Sequence, residues 1–172
     1  VLLWREAKQR TYNYATRGKS AVTAAWDQSV KEGAATKRGL VSGSTLVDLT
    51  NSYGVCKLEV IWRAGRMMNF PLQILRMELT AYIVTRRLLW QEANSDGIEC
   101  KSAILAGGTS ATDCLCMIMS EVCDGLVVEH PVEITLFDDD LAIHVISIEC
   151  DFMLIMTGAV SHAIEDLEDE LG

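Results

Sequence analysis

Apolar residues recur at helical spacing in five parts of the chain. In residues 19–38, Val22, Trp26 and Val30 follow one another every four residues, which predicts one apolar helix face. Gly39 comes directly afterwards, at a position where glycine commonly ends a helix. The predicted helices cover residues 19–38, 57–67, 70–87, 109–128 and 156–172.

The other apolar segments are short and rich in β-branched residues, a composition typical of strands. Residues 44–49, STLVDL, predict a short buried strand. Residues 132–137 and 141–147 alternate between apolar and polar positions, which predicts two further strands. Residues 87–93 and 97–105 predict another pair of strands around the turn sequence NSDG. Since helices and strands are mixed along the chain, the predicted fold class is α+β.

Three consecutive aspartates, Asp138, Asp139 and Asp140, lie between two of the predicted strands. Adjacent carboxylates repel one another, so this segment is either a solvated acidic turn or a metal site. Two-metal phosphoryl transfer needs carboxylates from separate segments at one sheet edge, where they bind hard cations such as Mg²⁺. Asp48 follows an apolar strand earlier in the chain and is the expected partner of the aspartate turn.

The order of these motifs resembles that of reverse transcriptases, above all the non-LTR retroelement type. Asp48, Ser52 and Tyr53 match the family's first motif, in which an aspartate and three residues precede a small residue and an aromatic one. The glycine-rich segment ILAGGTSATDCL then opens a helix. The sequence FDDD, which begins at Phe137, matches the family's aromatic-x-Asp-Asp motif. The resemblance covers roughly residues 19–172.

The resemblance implies the fold of a polymerase palm. That fold is a ferredoxin-like βαββαβ unit with helices on one face of an antiparallel sheet. Residues 1–43 would be a partial fingers region, or N-terminal helical segment, and residues 44–172 would be the palm. The sequence stops at the end of the helix that follows the aspartates, so we expect the closing strand and the thumb to be missing, as in a fragment.

The resemblance also implies the catalytic and metal-binding residues. Asp48 and Asp139 would hold two Mg²⁺ ions, and the backbone carbonyl of Leu49 would be a further metal ligand. Asp140 is the third expected catalytic residue and would support a ligand or the primer end. The ions would lower the pKa of the primer 3′-hydroxyl and neutralise charge on the phosphate, with Mn²⁺ as the alternative ion.

The nucleotide-binding residues implied by the resemblance are Leu49, Tyr53, Gly107 and Gly108. Tyr53 would lie under the sugar and exclude a 2′-hydroxyl, so that the enzyme selects deoxynucleotides. The two glycines would let the backbone approach the template strand or the nucleotide closely. The expected partners are an RNA template, a DNA primer and deoxynucleoside triphosphates.

Charge is distributed unevenly along the chain, whose net charge is −9. Residues 1–38 carry eight Lys/Arg against three Asp/Glu, whereas residues 101–172 carry one Lys against fifteen acids. The negative net charge argues against a protein that coats nucleic acid through positive charge. The uneven distribution still allows a basic groove that faces an acidic metal site. No apolar run approaches the roughly 18–20 residues of a membrane span. The six cysteines form no CxxC pair, which predicts reduced core thiols and an intracellular location, nuclear or cytoplasmic.

Two alternatives to an active polymerase stay open at this stage. The family's second motif usually reads Gln-Gly followed by Ser and Pro, whereas this chain has Gly107 and Gly108 and then Ala111, Thr112 and Asp113. The missing glutamine and the acidic charge favour a catalytically inactive palm-like remnant or binding module. A nucleotidyl cyclase on the same βαββαβ frame would need the two glycines beside Asp139, and the sequence keeps them in separate segments.

Overall fold

The computed structural model of the chain describes residues 1–100, 102, 104–105 and 107–171. These residues form seven helices and a small antiparallel sheet, so their fold class is mixed α+β, as the sequence predicted. The helices are α1 (Leu2–Lys8), α2 (Ala21–Lys37), α3 (Ser52–Val55), α4 (Leu58–Met67), α5 (Leu72–Tyr82), α6 (Ala111–Glu129) and α7 (Glu149–Leu171). The strands are β1 (Val41–Val47), β2 (Leu89–Trp90), β3 (Ala93–Asn94), β4 (Glu133–Phe137) and β5 (Asp140–Ser147).

The main sheet has the strand order β1–β5–β4, and both pairings are antiparallel. The first strand in the sequence is therefore parallel to β4, with β5 between them. A β-strand that is connected through helices to a parallel strand, with a third strand inserted between the two, is a split βαβ arrangement. The register pairs Val47 of β1 with Leu141 of β5, and Leu136 of β4 with the same leucine.

One face of this sheet forms the core with α6 and α7. On β5, Leu141, Ile143 and Val145 are buried, as the alternation of that strand predicted. Helix α6 is buried along most of its length, and its own apolar residues lie on nearly all of its sides. Helix α7 adds Ala159 and Ala163, whose small side chains are fully buried. The core therefore lies between the sheet and the two longest helices.

Helix α2, which lies in the predicted N-terminal helical segment of residues 1–43, covers the opposite face of the sheet. Its contacts there are polar: Gln28 bonds to Ser44 of β1, and Lys31 pairs with Glu133 of β4. His144 of β5 points to this face, opposite Ile143 and Val145 as expected. It is buried under α2 and bonds to Ser44.

The apolar stripe predicted for α2 does not face the core. Val22, Trp26 and Val30 are 79%, 69% and 56% exposed, while Ala24 and Ala35 are the buried residues of this helix. The physical reason is the polar surface that α2 covers, where Ser44 bonds to Gln28 and Glu32 of the helix. The predicted apolar face therefore exists but is exposed to solvent, and Trp26 does not pack in the core.

Two predicted strand regions also differ from the structure. The strand at 44–49 runs instead over Val41–Val47 and is an edge strand with partly exposed residues, so Asp48 lies just beyond its end. Among the described residues between 87 and 105, the strands are those of the short hairpin β2–β3, which turns at Gln91 with a positive φ of 54° and not at NSDG. Residues 101, 103 and 106 lie outside the described part of the chain.

Helix α2 ends as its sequence predicted, and this end provides a stability test. Gly39 has a φ of +72°, and the amides of Gly39 and Leu40 bond to the carbonyls of Thr36 and Ala35. This pattern is a Schellman motif, in which a residue with a Cβ is strained. We expect Gly39→Ala to lower the free energy of unfolding by about 1 kcal/mol, measured by urea denaturation.

Gly33 in the middle of α2 is the matched control for this substitution. A Cβ at either glycine would meet no atom within 4 Å, so the two sites differ in backbone conformation and not in space. Because Gly33 is helical, Gly33→Ala should raise the free energy of unfolding by about 0.5–1 kcal/mol. If both substitutions changed the free energy of unfolding in the same direction, the result would contradict the left-handed conformation of Gly39 at the end of α2.

No helix in the described residues is long and apolar enough to cross a membrane. The six cysteines are free thiols, and Cys56, Cys114 and Cys123 are buried among the core residues.

Candidate functional site

The register of the main sheet brings Asp48 to the end at which the three aspartates lie. Val47, the last residue of β1, pairs with Leu141, and Asp140 pairs with Phe137 across the turn between β4 and β5. Asp138 and Asp139 are the two residues of that turn. Asp48 directly follows Val47, so it leaves β1 beside the turn. Asp48 and Asp140 are exposed to solvent, whereas Asp139 is half-buried.

Asp139 is held in place by Ser52, which was identified from the sequence only as the small residue of the first motif. The Ser52 hydroxyl donates a 2.7 Å hydrogen bond to Asp139 Oδ2, across 87 residues of chain. Ser52 is the first residue of the short helix α3, and it is buried. This contact fixes one oxygen of Asp139 in a hydrogen bond with α3, the helix that follows Asp48.

Asp138 points to a different side of the turn, and the ionised form of its side chain is electrostatically disfavoured. Its Oδ1 atom is buried and has no hydrogen-bond partner in the part of the chain that the structure describes. Burial raises the pKa of the Asp138 carboxyl above its ordinary value, and the charges of Asp139 and Asp140 raise it further. Its φ of 55° is left-handed, a conformation that Asp and Asn tolerate better than most residues. The turn therefore keeps a buried acidic group that costs stability when it is ionised.

We expect Asp138→Asn to raise the free energy of unfolding by roughly 0.5–1 kcal/mol at pH 7 in buffer with EDTA. The pKa of Asp138 is higher in the folded chain than in the unfolded chain, so protonation stabilises the fold in acid. This stabilisation is lost as the pH rises through the folded-state pKa, because Asp138 then ionises. An asparagine at this position stays neutral, so the stability of the variant does not change through this titration. The advantage of the variant should therefore shrink as the pH falls through that pKa.

Urea unfolding at several pH values measures this difference. Asp96→Asn is the control, because Asp96 is exposed in a loop and its removal should change stability little. A variant at Asp138 that is less stable than the original chain at pH 7 would contradict the assigned cost of the buried carboxylate.

Tyr53, the predicted sugar contact, lies between the aspartate turn and the start of α6. Burial raises the pKa of its hydroxyl, a hydrogen bond with Thr112 lowers it, and the charges of Asp138 and Asp139 raise it. Its ring is half-buried against the core. Tyr53 is therefore near the aspartates, as its predicted role requires. Leu49 is half-buried against the same core, directly after Asp48.

Gly107 and Gly108 lie in the loop that leads into α6. Gly107 has a φ of +85° and is exposed, and a Cβ there would meet no atom within 4 Å. At Gly108 a Cβ would lie 3.0 Å from the carbonyl oxygen of Leu105, which is a tight contact. The loop is joined to α3 by a hydrogen bond from the amide of Ile104 to the carbonyl of Tyr53. Both glycines thus serve the local backbone, and their contact with a nucleotide stays a prediction.

A cavity of about 430 Å³ opens beside Asp138, between the N-terminal segment and α6. Arg5, Lys8 and Arg17 contribute basic side chains to its wall. Arg5 also forms two hydrogen bonds of 2.6 and 2.7 Å with the buried carboxylate of Asp113 in the first turn of α6. The basic N-terminal segment therefore lies against the acidic part of the chain. The charge distribution along the sequence is compatible with this arrangement but did not predict it.

The predicted site residues do not form the densest group of potential metal ligands. Among the described residues, one group of three or more His, Cys, Asp or Glu side chains has ligand atoms within 4.8 Å of one another, and it consists of Glu129, His130 and His162. The sequence contains one local signal for it, the four-residue spacing of His162 and Asp166 on a helix. That signal alone does not reveal His130, which is 32 residues away in sequence.

Compared with models of known protein families and with curated protein sequences, the chain matches none.

Proposed function

We propose that the chain is the palm region of an RNA-directed DNA polymerase of the non-LTR reverse transcriptase type, and that it uses two Mg²⁺ ions at Asp48 and Asp139. The observation that carries this proposal is the sheet register, which brings Asp48 to the same sheet end as the aspartate turn. The two residues are far apart in sequence and lie in separate segments, Asp48 directly after β1 and Asp139 in the turn between β4 and β5, as two-metal chemistry requires.

The strand order supports the same proposal. In a βαββαβ palm the third strand lies between the first and second, and β5 lies between β1 and β4 in this chain. Helices α6 and α7 occupy the positions of the two helices that cover one face of such a sheet. The additional helix α2 on the other face would belong to the fingers region of residues 1–43.

The oxygen donors at this end of the sheet fit Mg²⁺. Mg²⁺ is usually bound through one or two carboxylates together with substrate phosphates and water, so two aspartates from two segments suffice. Asp48 is exposed, and Asp139 has one oxygen bonded to Ser52, which leaves Oδ1 as the atom for an ion. The carbonyl of Leu49 is a further oxygen donor in the family's pattern.

Each residue of the site then has one role in the proposed reaction. When bound, the Mg²⁺ ions supply Lewis-acid activation of the primer hydroxyl and neutralise charge on the transferred phosphate. Ser52 orients Asp139, and Asp140 supports the primer end from the exposed side of the turn. Tyr53 forms the floor under the sugar and selects deoxynucleotides. Lys8 and Arg17, in the wall of the neighbouring cavity, attract the polyanionic substrates.

Primer extension tests this proposal. The substrates are an oligo(dT) primer on a poly(rA) template, dTTP and Mg²⁺, and the expected result is template-dependent addition of dTMP that EDTA stops. Mn²⁺ binding by the same protein is measured by electron paramagnetic resonance. If Mn²⁺ binds at the aspartates and no nucleotide is added, the chain is a catalytically inactive palm-like remnant or binding module. If Mn²⁺ does not bind, the assignment of Asp48 and Asp139 as metal ligands is wrong.

A further inference from the structure

Two histidines and a glutamate from distant parts of the chain meet where α6 ends against α7. His130 follows the last residue of α6, and its Nε2 atom lies 3.1 Å from Nδ1 of His162 in α7. The Glu129 Oε2 atom lies 3.6 Å from the same Nδ1. Three potential ligand atoms therefore converge on one point between the two helices, which the proposed polymerase chemistry does not use.

The spacing of these atoms fits a tetrahedral metal ion. Ligand atoms at about 2.0–2.1 Å from Zn²⁺ and at the tetrahedral angle lie about 3.3 Å from each other. The two separations from His162, 3.1 and 3.6 Å, lie on either side of this value, and all three ligand atoms lie within 4.8 Å of one another. The Glu129 side chain is 63% exposed and can therefore make a small adjustment without disturbing the core.

A fourth residue orients one of the imidazoles. The Asp166 Oδ2 atom lies 3.2 Å from Nε2 of His162, one helical turn further along α7. A carboxylate at this distance favours the ring proton on Nε2, so Nδ1 carries a lone pair and faces His130 and Glu129. Metal-binding histidines commonly have such a carboxylate behind them.

The surroundings favour a cation at this position. The C-terminal end of a helix carries partial negative charge, and no basic residue occupies the last turn of α6. The ring of His130 lies over Gly158 of α7, where a Cβ would come 3.6 Å from its Cε1 atom. The backbone of His130 is fixed by hydrogen bonds to Leu126 and Val132. Both imidazoles are thus already positioned before any ion binds.

We propose that Glu129, His130 and His162 form a Zn²⁺ site that joins the end of α6 to α7, with Asp166 as the residue that orients His162. Imidazole and carboxylate ligands suit Zn²⁺, whereas Mg²⁺ prefers oxygen ligands alone. Three protein ligands leave the fourth position to water. The site is distinct from the aspartate turn, because the 19 residues of α6 span about 28 Å between the two ends.

Isothermal titration of the chelator-treated, reduced chain with ZnCl₂ tests the site. The Cys150→Ser background removes an exposed thiol that could bind zinc. We expect one Zn²⁺ per chain, binding at least tenfold weaker in His162→Gln and Glu129→Gln, and weaker by about 10- to 100-fold in Asp166→Asn. Glu165→Gln is the matched control, since Glu165 is an exposed acid next to Asp166 and should bind Zn²⁺ as the original chain does.

Two further readouts separate this site from the proposed polymerase site. Co²⁺ in place of Zn²⁺ should give the visible absorption bands of a tetrahedral ion, and His162→Gln should lose them. Excess Mg²⁺ and the substitution Asp139→Asn should leave Zn²⁺ binding unchanged, whatever the outcome of primer extension. The proposal is overturned if Zn²⁺ does not bind, or if Glu129→Gln, whose exposed side chain is not needed for folding, binds it as tightly as the original chain.

Discussion

Asp139→Asn is expected to lower the rate of RNA-directed nucleotide addition by at least about a thousandfold. Metal ions contribute several kcal/mol of charge stabilisation in phosphoryl transfer, and each 1.36 kcal/mol corresponds to a tenfold change in rate. Asparagine keeps the shape of the side chain and an oxygen that can accept the hydrogen bond from Ser52, but it removes the charge that holds the ion. Asp48→Asn should have an effect of similar size. Single-nucleotide extension at saturating dTTP measures both rates.

Asp138→Asn is the matched control, because Asp138 lies in the same turn. Its carboxylate is partly buried beside the N-terminal cavity and is not among the proposed metal ligands. This variant should add nucleotides at nearly the original rate, and circular dichroism should show all three variants folded. If Asp139→Asn extends primers as fast as the control, the assigned mechanism is wrong even if the polymerase activity is real.

Local patterns predicted most of the helices in this chain. The segments that became α2, α4 and α6 were bounded within a few residues, since each combines apolar periodicity with good helix formers. Helix α5 ends at Tyr82, five residues before its predicted end, and the three β-branched residues that follow, Ile83, Val84 and Thr85, disfavour a helix. Helix α7 begins at Glu149, seven residues before its predicted start, and acidic residues in its first turn complement the helix dipole.

Tertiary placement was harder to predict, because it depends on surfaces that no local pattern describes. The four-residue spacing of Val22, Trp26 and Val30 predicts a helix correctly but does not predict which side of it meets the sheet. That choice follows from the polar face of the sheet, where Ser44 of β1 and Glu133 of β4 bond to polar residues of α2. The same dependence explains the short hairpin β2–β3, where Leu89 and Trp90 are exposed although their apolar pattern predicted a longer strand.

The candidate site was predictable in its outline and not in its details. Aspartates at the ends of two strands can be found in sequence, and their neighbouring positions follow once β1 pairs with β5. The bond from Ser52 to Asp139 spans 87 residues and depends on the placement of α3. The meeting of His130 and His162 likewise depends on how α6 packs against α7. Such contacts come from the packing of whole elements, which a single sequence does not specify.

Leu141→Ala is expected to lower the free energy of unfolding by about 2–5 kcal/mol. Leu141 is 1% exposed on the core face of the central strand, opposite Val47 and Leu136 on its two neighbours. Its removal leaves a cavity where all three strands meet the helices, next to the aspartate turn. Urea denaturation followed by circular dichroism measures the loss.

Leu46→Ala is the control for the same residue type in the same sheet. Leu46 pairs with Ala142, the neighbour of Leu141, but points to the opposite face and is 79% exposed. Its substitution should change stability by no more than about 0.5 kcal/mol. A shift of β1 by one residue would exchange its two faces, bury Leu46 and remove Asp48 from its place beside the turn. Comparable losses in the two variants would therefore contradict both the register of the sheet and the proposed pairing of Asp48 with Asp139.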